Sequence, residues 1–175
     1  TMKKLITTIA IFAFALVFSN DMYAQRFAGL DKSPADVVLT PRRGDKVIKV
    51  VYSRPQLKGR RLTKLVPVDK VWRTGANEAT QITFYKDVTF GGKAIKAGTY
   101  SLFTIRGEKE WTVIINSATN DWGAFAYSQD KDVARVKGKI SSSMAPMEAF
   151  SIAFDKDMNL YLGWGYTVVK VDIKG

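Results

Sequence analysis

Arg73, Asn77 and Glu78 lie within six residues around Gly75-Ala76, in the block VWRTGANEAT from Val71 to Thr80. An arginine fork binds carboxylate or phosphate through two parallel hydrogen bonds. Asparagine offers a donor and an acceptor, and glutamate orients an arginine or acts as a base. Gly75-Ala76 lets the backbone turn tightly and present its N–H groups. The chemistry this block suits best is recognition of an anionic or polar ligand. The structural alternative is an Arg73–Glu78 ion pair that only fixes the loop. Upstream, YSRP (Tyr52 to Pro55) and KGR (Lys58 to Arg60) add Arg54, Lys58 and Arg60 as further anion-holding groups. Trp72 would pack beneath such a site. Trp122, between Asn120-Asp121 and Gly123, suits an exposed loop where its ring can touch a sugar.

Other patterns are weaker. Asp155-Lys156-Asp157-Met158-Asn159 spaces oxygen ligands as calcium loops do, but Leu160 stands where that motif needs glycine and Tyr166 where it needs glutamate. It therefore reads as a turn, and no metal site is expected. Ser128-Gln129-Asp130-Lys131 has the S-x-x-K spacing of serine acyltransferases without the companion motifs. With no cysteine and no histidine in 175 residues, disulfides, thiolate nucleophiles, zinc sites of those ligands and histidine-based triads are excluded. Catalysis would need a histidine-free carboxylate pair such as Glu78 with Asp121. Enzymatic activity is thus the lesser expectation, and no cofactor is expected.

The charge distribution sharpens the ligand class. Residues 42–73 carry eleven basic and two acidic side chains, a net +9, whereas residues 74–175 sum to +1. A concentration of this kind draws anionic small molecules, acidic glycans or an acidic envelope component. Nucleic acid is not expected, since the segment has no helix-turn-helix, RNA-binding strand or zinc module. A solubilising face, or a docking face for an acidic protein partner, is the alternative.

The elements that must position these groups begin after residue 24. Met2-Lys3-Lys4, the mostly apolar stretch Leu5 to Phe18, and the exit Tyr23-Ala24-Gln25 form a secretory signal with expected cleavage after Ala24. Thr1 reads as a tag remnant. The mature chain is expected to be periplasmic or secreted, without a transmembrane or lipid anchor. Residues 25–32 form an arm, and residues 33–175 one β domain.

Within that domain Ser33-Pro34-Ala35-Asp36 resembles a helix cap and predicts one short helical turn. KVIKVVYS (46–53), TQITFYK (80–86), TYSLFTIR (99–106), WTVIIN (111–116), EAFSIAF (148–154), NLYLGW (159–164) and YTVVKVDI (166–173) read as strands. Residues 71–74, 121–127 and 132–140 are weaker strand candidates, and Ser141 to Pro146 reads as a surface crossover. Gly91-Gly92, Gly107 to Glu110 and Asp155 to Met158 mark hairpins. Trp111 and Trp164 belong to the core. Many short strands and at most one short helix make an all-β fold: an antiparallel, jelly-roll-like sandwich, with a closed barrel as the alternative.

YSRPQLKGR, LVPVDKVWRTGANEAT, GGKAIKAGTYSLFTI, GEKEWTVIIN and WGAFAY together resemble the exported bacterial proteins catalogued as domain of unknown function 2911. The similarity runs from about Ser33 to Gly175. It implies an exported bacterial protein and carries over no activity and no catalytic residue.

Overall fold

A computed structural model describes residues 29–175. The expected export signal and its expected cleavage site lie outside the described residues. Asp31–Gly175 form one compact unit. Its strands are β1 (Ala35–Thr40), β2 (Ile48–Ser53), β3 (Val71–Trp72), β4 (Thr80–Phe84), β5 (Val88–Phe90), β6 (Lys93–Ile95), β7 (Gly98–Arg106), β8 (Trp111–Asn116), β9 (Asp132–Phe154), β10 (Leu160–Val171) and β11 (Ile173–Lys174). One helical turn, α1 (Leu62–Leu65), precedes β3, and a 3-10 turn, Gln129–Lys131, precedes β9.

An eight-stranded sheet runs β1-β2-β4-β7-β8-β9-β10, with β3 added beside β7, and a three-stranded sheet runs β11-β5-β6. All the strand pairs are antiparallel. The large sheet curls without closing. Its end strands β1 and β10 do not pair, so the fold is sandwich-like and the closed-barrel alternative falls. A 420 Å³ cleft lined by residues 38–42 and 152–156 opens where β1 approaches β9.

The sequence dictates the alternation behind this curl. Along β2 and β4, Ile48, Val50, Tyr52, Ile82 and Phe84 turn inward at every second position. In the enclosed interior Trp72 stacks on Trp164 with ring centres 5.6 Å apart, and it meets Phe150 edge-on at 5.0 Å and Trp111 at 6.2 Å. Three of the four tryptophans therefore form the centre of the core. Truncating a ring in such a cluster typically costs about 3–5 kcal/mol.

Several expected elements differ: residues 121–127 form no strand, and the expected strands 159–164 and 166–173 run together in β10. The cap-like Ser33-Pro34-Ala35-Asp36 leads into strand β1 instead of a helical turn, because pairing with β2 over the full Ala35–Thr40 register satisfies more backbone than one turn would. The Asp36 carboxylate accepts Val37 N–H and serves the neighbouring strand. Ser141 to Pro146 is no crossover between strands but part of β9. Between Ser142 and Ser151 that strand carries five more residues than β10 does between Gly163 and Thr167, and the excess is taken up as bulges.

The curl is held by side chains. The Ile152 N–H donates to the Tyr52 hydroxyl at 3.0 Å, and that hydroxyl donates to Asp36 at 3.2 Å. Arg54 donates to the Phe150 carbonyl at 3.1 Å, Ser151 Oγ at 2.8 Å and Asp36 at 3.4 Å. Burial raises the Tyr52 pKa, so the hydroxyl is kept neutral. Tyr52→Phe leaves a buried N–H without a partner and is expected to cost about 1–3 kcal/mol. Thermal unfolding followed by circular dichroism should register a midpoint several degrees lower; an unchanged midpoint would mean the clasp does not hold the sheet.

Candidate functional site

The Val71 to Thr80 block forms a tightly tied loop between β3 and β4. Trp72 Nε1 donates to the Gly75 carbonyl at 3.1 Å, Thr80 Oγ1 to the Thr74 carbonyl at 2.7 Å, and the Thr80 N–H to the Arg73 carbonyl at 3.1 Å. Thr74 Oγ1 donates to Thr104 Oγ1 at 3.2 Å, anchoring the loop on β7. Gly75 sits so close to β2 that a β-carbon there would lie 3.0 Å from the Ser53 carbonyl oxygen. The loop is therefore fixed by its own hydroxyls and backbone. No Arg73–Glu78 ion pair is present among the described residues.

Arg73 instead donates to the Asn77 carbonyl at 3.0 Å, and Asn77 takes a positive φ of 60° to present that oxygen. Arg73 also borders a 280 Å³ cleft with Val71, Trp72, Ala124 and Phe125. Trp72 is its floor, with the ring itself committed to the core. Gly123 closes one side. Its φ is +71°, and a β-carbon there would stand 2.8 Å from Arg73 Nη1 and 3.1 Å from the Phe125 ring, so only glycine lets the arginine and the aromatic loop meet.

The loop Ser117 to Ser128 presents its aromatics outward: Trp122 is 59% exposed and Phe125 86%. It is nevertheless anchored at both ends. The Ala79 N–H donates to the Asp121 carbonyl at 2.9 Å, Gln81 Nε2 donates to Asn120 Oδ1 at 2.9 Å, and Trp122 bridges Glu78. Farther along, the Tyr127 hydroxyl donates to Asp132 at 2.7 Å, Arg135 reaches the same carboxylate at 2.6 Å, and Asn116 donates to its other oxygen at 2.8 Å. The Tyr127 ring packs edge-on against Phe103 at 5.1 Å. Two large apolar rings are thus held in water on a fastened loop.

The remaining sequence-derived residues are held by other partners. Arg54 is spent on the seam between β1 and β9. Arg60 folds back onto the carbonyls of Gln56 and Leu57, and the Lys58 backbone N–H donates to Glu148 at 2.6 Å. None of these shares a partner residue with Arg73. Glu78 is exposed and borders a separate 210 Å³ cleft with Ala35, Val51, Tyr52, Ser53, Ala79 and Gln81. Asp121 stands opposite Ala79 in the pairing, so the Asp121 and Glu78 side chains leave on opposite faces. The Asp121 Oδ2 atom is buried without a hydrogen-bond partner. The pair does not form a hydrolytic couple across one cleft.

Asp155 confirms the turn reading of its loop, since its carboxylate accepts from the backbone N–H groups of Asp157 and Asn159, the Asn159 amide and the Tyr161 hydroxyl. These donors, the Asn159 amide first, hold its pKa below the usual carboxylate value. Ser128 lies just before the 3-10 turn that leads into β9, with its carbonyl taken by Asn116. Phe125 was not among the residues singled out from the sequence. The small-aromatic run Gly123-Ala124-Phe125-Ala126 within a turn-rich segment is the signal that marks it.

The fold and this face define an all-β, sandwich-like domain with an arginine beside an outward-facing aromatic loop. Residues 33–173 match the family described as protein of unknown function (DUF2911), and the chain belongs to that family. No curated protein and no solved structure matches it.

The Tyr127 anchor has a pH signature. Burial, then the hydrogen bond to Asp132, pushes its pKa up to about 12 from 10. The stabilisation from the neutral hydroxyl is therefore complete below about pH 10 and is lost as pH rises toward 12. Absorbance titration at 295 nm should find that Tyr127→Phe removes a late-titrating tyrosine with a midpoint near 12. Loss of an ordinary tyrosine near 10 would mean the anchor does not hold in solution.

Proposed function

We propose that this is an exported binding protein, and that the face formed by Arg73, Trp122 and Phe125 takes an acidic carbohydrate of the cell envelope. The observation that carries the reading is the pair of rings held in solvent on a fastened loop, one of them sharing a cleft with a half-committed guanidinium. An exposed apolar patch rimmed by polar groups is a common form of ligand or partner contact. Flat aromatic faces suit the C–H faces of sugar rings. The free edge of Arg73 suits a carboxylate, which it would grip bidentately. Asn77 acts by orienting Arg73 rather than by touching the ligand. Export follows from the basic, apolar and small-residue order of residues 2–25.

That Asp121 does not face Glu78 favours binding over hydrolysis. Paired glycosidase carboxylates face each other across the sugar, at about 5–10 Å. Here the two candidates leave on opposite faces.

Two variants separate the parts. Phe125→Ala is expected to weaken binding of both a trigalacturonate and a neutral cellotriose in calorimetric titration. Arg73→Lys keeps the charge but loses the fork, and should cut the preference for the acidic sugar by about tenfold, equivalent to about 1.4 kcal/mol. Neither change should lower the unfolding midpoint by more than a degree or two. If neither sugar binds the unaltered protein, the reading is wrong.

A further inference from the structure

Residues 74–175 are nearly neutral in sum, yet the fold collects four of their lysines on one cleft. Lys137 and Lys139 leave the same face of β9 two residues apart, Lys170 comes from β10, and Lys174 from β11. With Thr89, Gly91, Gly92 and Asp172 they line a cleft of 310 Å³. Its wall is the β5–β6 hairpin, tied in place by the Gly91 N–H donating to the Asp172 carbonyl at 2.8 Å. Space beside Gly92 is open: a β-carbon there would meet nothing within 4 Å.

This arrangement works against stability. Lys139 and Lys170 are direct cross-strand partners, and like charges in that position repel. The single carboxylate of Asp172 bridges them, at 2.9 Å from Lys139 and 3.0 Å from Lys170. Those contacts hold the Asp172 pKa below its ordinary value, so the carboxylate is charged, and one negative charge is shared by two ammoniums. Lys137 is paired with Glu110 at 2.7 Å, outside the cleft lining. Lys174 has no carboxylate within 4.0 Å among the described residues. The cleft lining itself carries four positive charges and one negative.

From this geometry we infer a second ligand site, in which Lys137, Lys139, Lys170 and Lys174 bind a phosphate group against the Gly91-Gly92 turn. The class follows from the donors. Lysine ammoniums act as point charges and select by charge rather than by shape, and a multiply charged oxyanion gains most where, with Asp172 and Glu110 counted, two positive charges remain in excess. Gly92 leaves open space through which the group can approach the backbone, while Gly91 lets the turn sit against Val136. Asp172 pre-positions two of the lysines, so little side-chain ordering remains to be done on binding. The site uses no residue of the Arg73 face, and the two stand or fall separately.

The test is a ¹H–¹⁵N titration of the full chain with inorganic pyrophosphate, comparing the unaltered protein with Lys137→Gln/Lys174→Gln. Both substituted lysines are exposed, and peak dispersion reports whether the variant keeps its fold. Expected are saturable shifts centred on the Gly91 and Gly92 amides, with an affinity about tenfold lower in the double variant. Glucose 6-phosphate and vesicles of phosphatidylcholine with one quarter phosphatidylglycerol then distinguish a soluble phosphate ester from a lipid headgroup; binding of either is expected to depend on the same lysines. Shifts that never saturate, that spread over lysines elsewhere, or that are unchanged in the double variant would overturn the site.

Discussion

Everything in this domain depends on the side-chain clasp between the β1–β2 corner and β9. An eight-stranded antiparallel sheet has two edges, and left flat it would expose one face of its apolar residues. Here the Tyr52 hydroxyl takes the Ile152 N–H, and Arg54 takes the Phe150 carbonyl and Ser151 Oγ, so the sheet is bent until distant strands touch. The bend closes a chamber, and the tryptophans fill it. Trp72, Trp111, Trp164 and Phe150 meet only because β3, β8, β9 and β10 are brought around one centre. In a chain without cysteine, this packing replaces what a crosslink would otherwise do.

The same clasp takes up part of the strongly basic segment. Arginine is the residue best able to satisfy several backbone and side-chain oxygens at once. Arg54 and Arg60 are used in that way, on carbonyls at the seam and in the following turn. Arg73 differs because its loop is already fixed by Thr74, Thr80 and Trp72, leaving part of the guanidinium available to solvent. Charge counted along the chain therefore does not say which of its groups are already spent on carbonyls. Lysines from three strands, silent in that count, line one cleft.

Local signals were legible where the physics is local. The hairpins at Gly91-Gly92, Gly107 to Glu110 and Asp155 to Met158 follow from turn chemistry, and WTVIIN is a strand over the same six residues the structure gives as β8. The core roles of Trp111 and Trp164 follow from their apolar neighbours. What could not be read depends on contacts made far along the chain. Tyr52 and Ile152 are 100 residues apart, and no period reveals their meeting. Ser33 to Asp36 satisfies every local rule for a helix start and still forms a strand, because β2 offers a full-length partner. The meeting of Arg73 with Phe125 hangs on Gly123, a residue whose role appears only when the two loops are seen together.

Strand β9 threads all of these features. Its first residues, Asp132 and Arg135, secure the aromatic loop; Lys137 and Lys139 line the lysine cleft; Phe150 to Ile152 receive the seam. Strand side chains alternate, so shifting β9 by one residue would turn all three sets to the wrong face together. The bulged stretch around Ser143 to Pro146, whose extra residues already stand out of the β10 ladder, is where a length change is most easily absorbed. On either side of it, descendants of this sequence can exchange one side chain for another far more readily than they can gain or lose a residue.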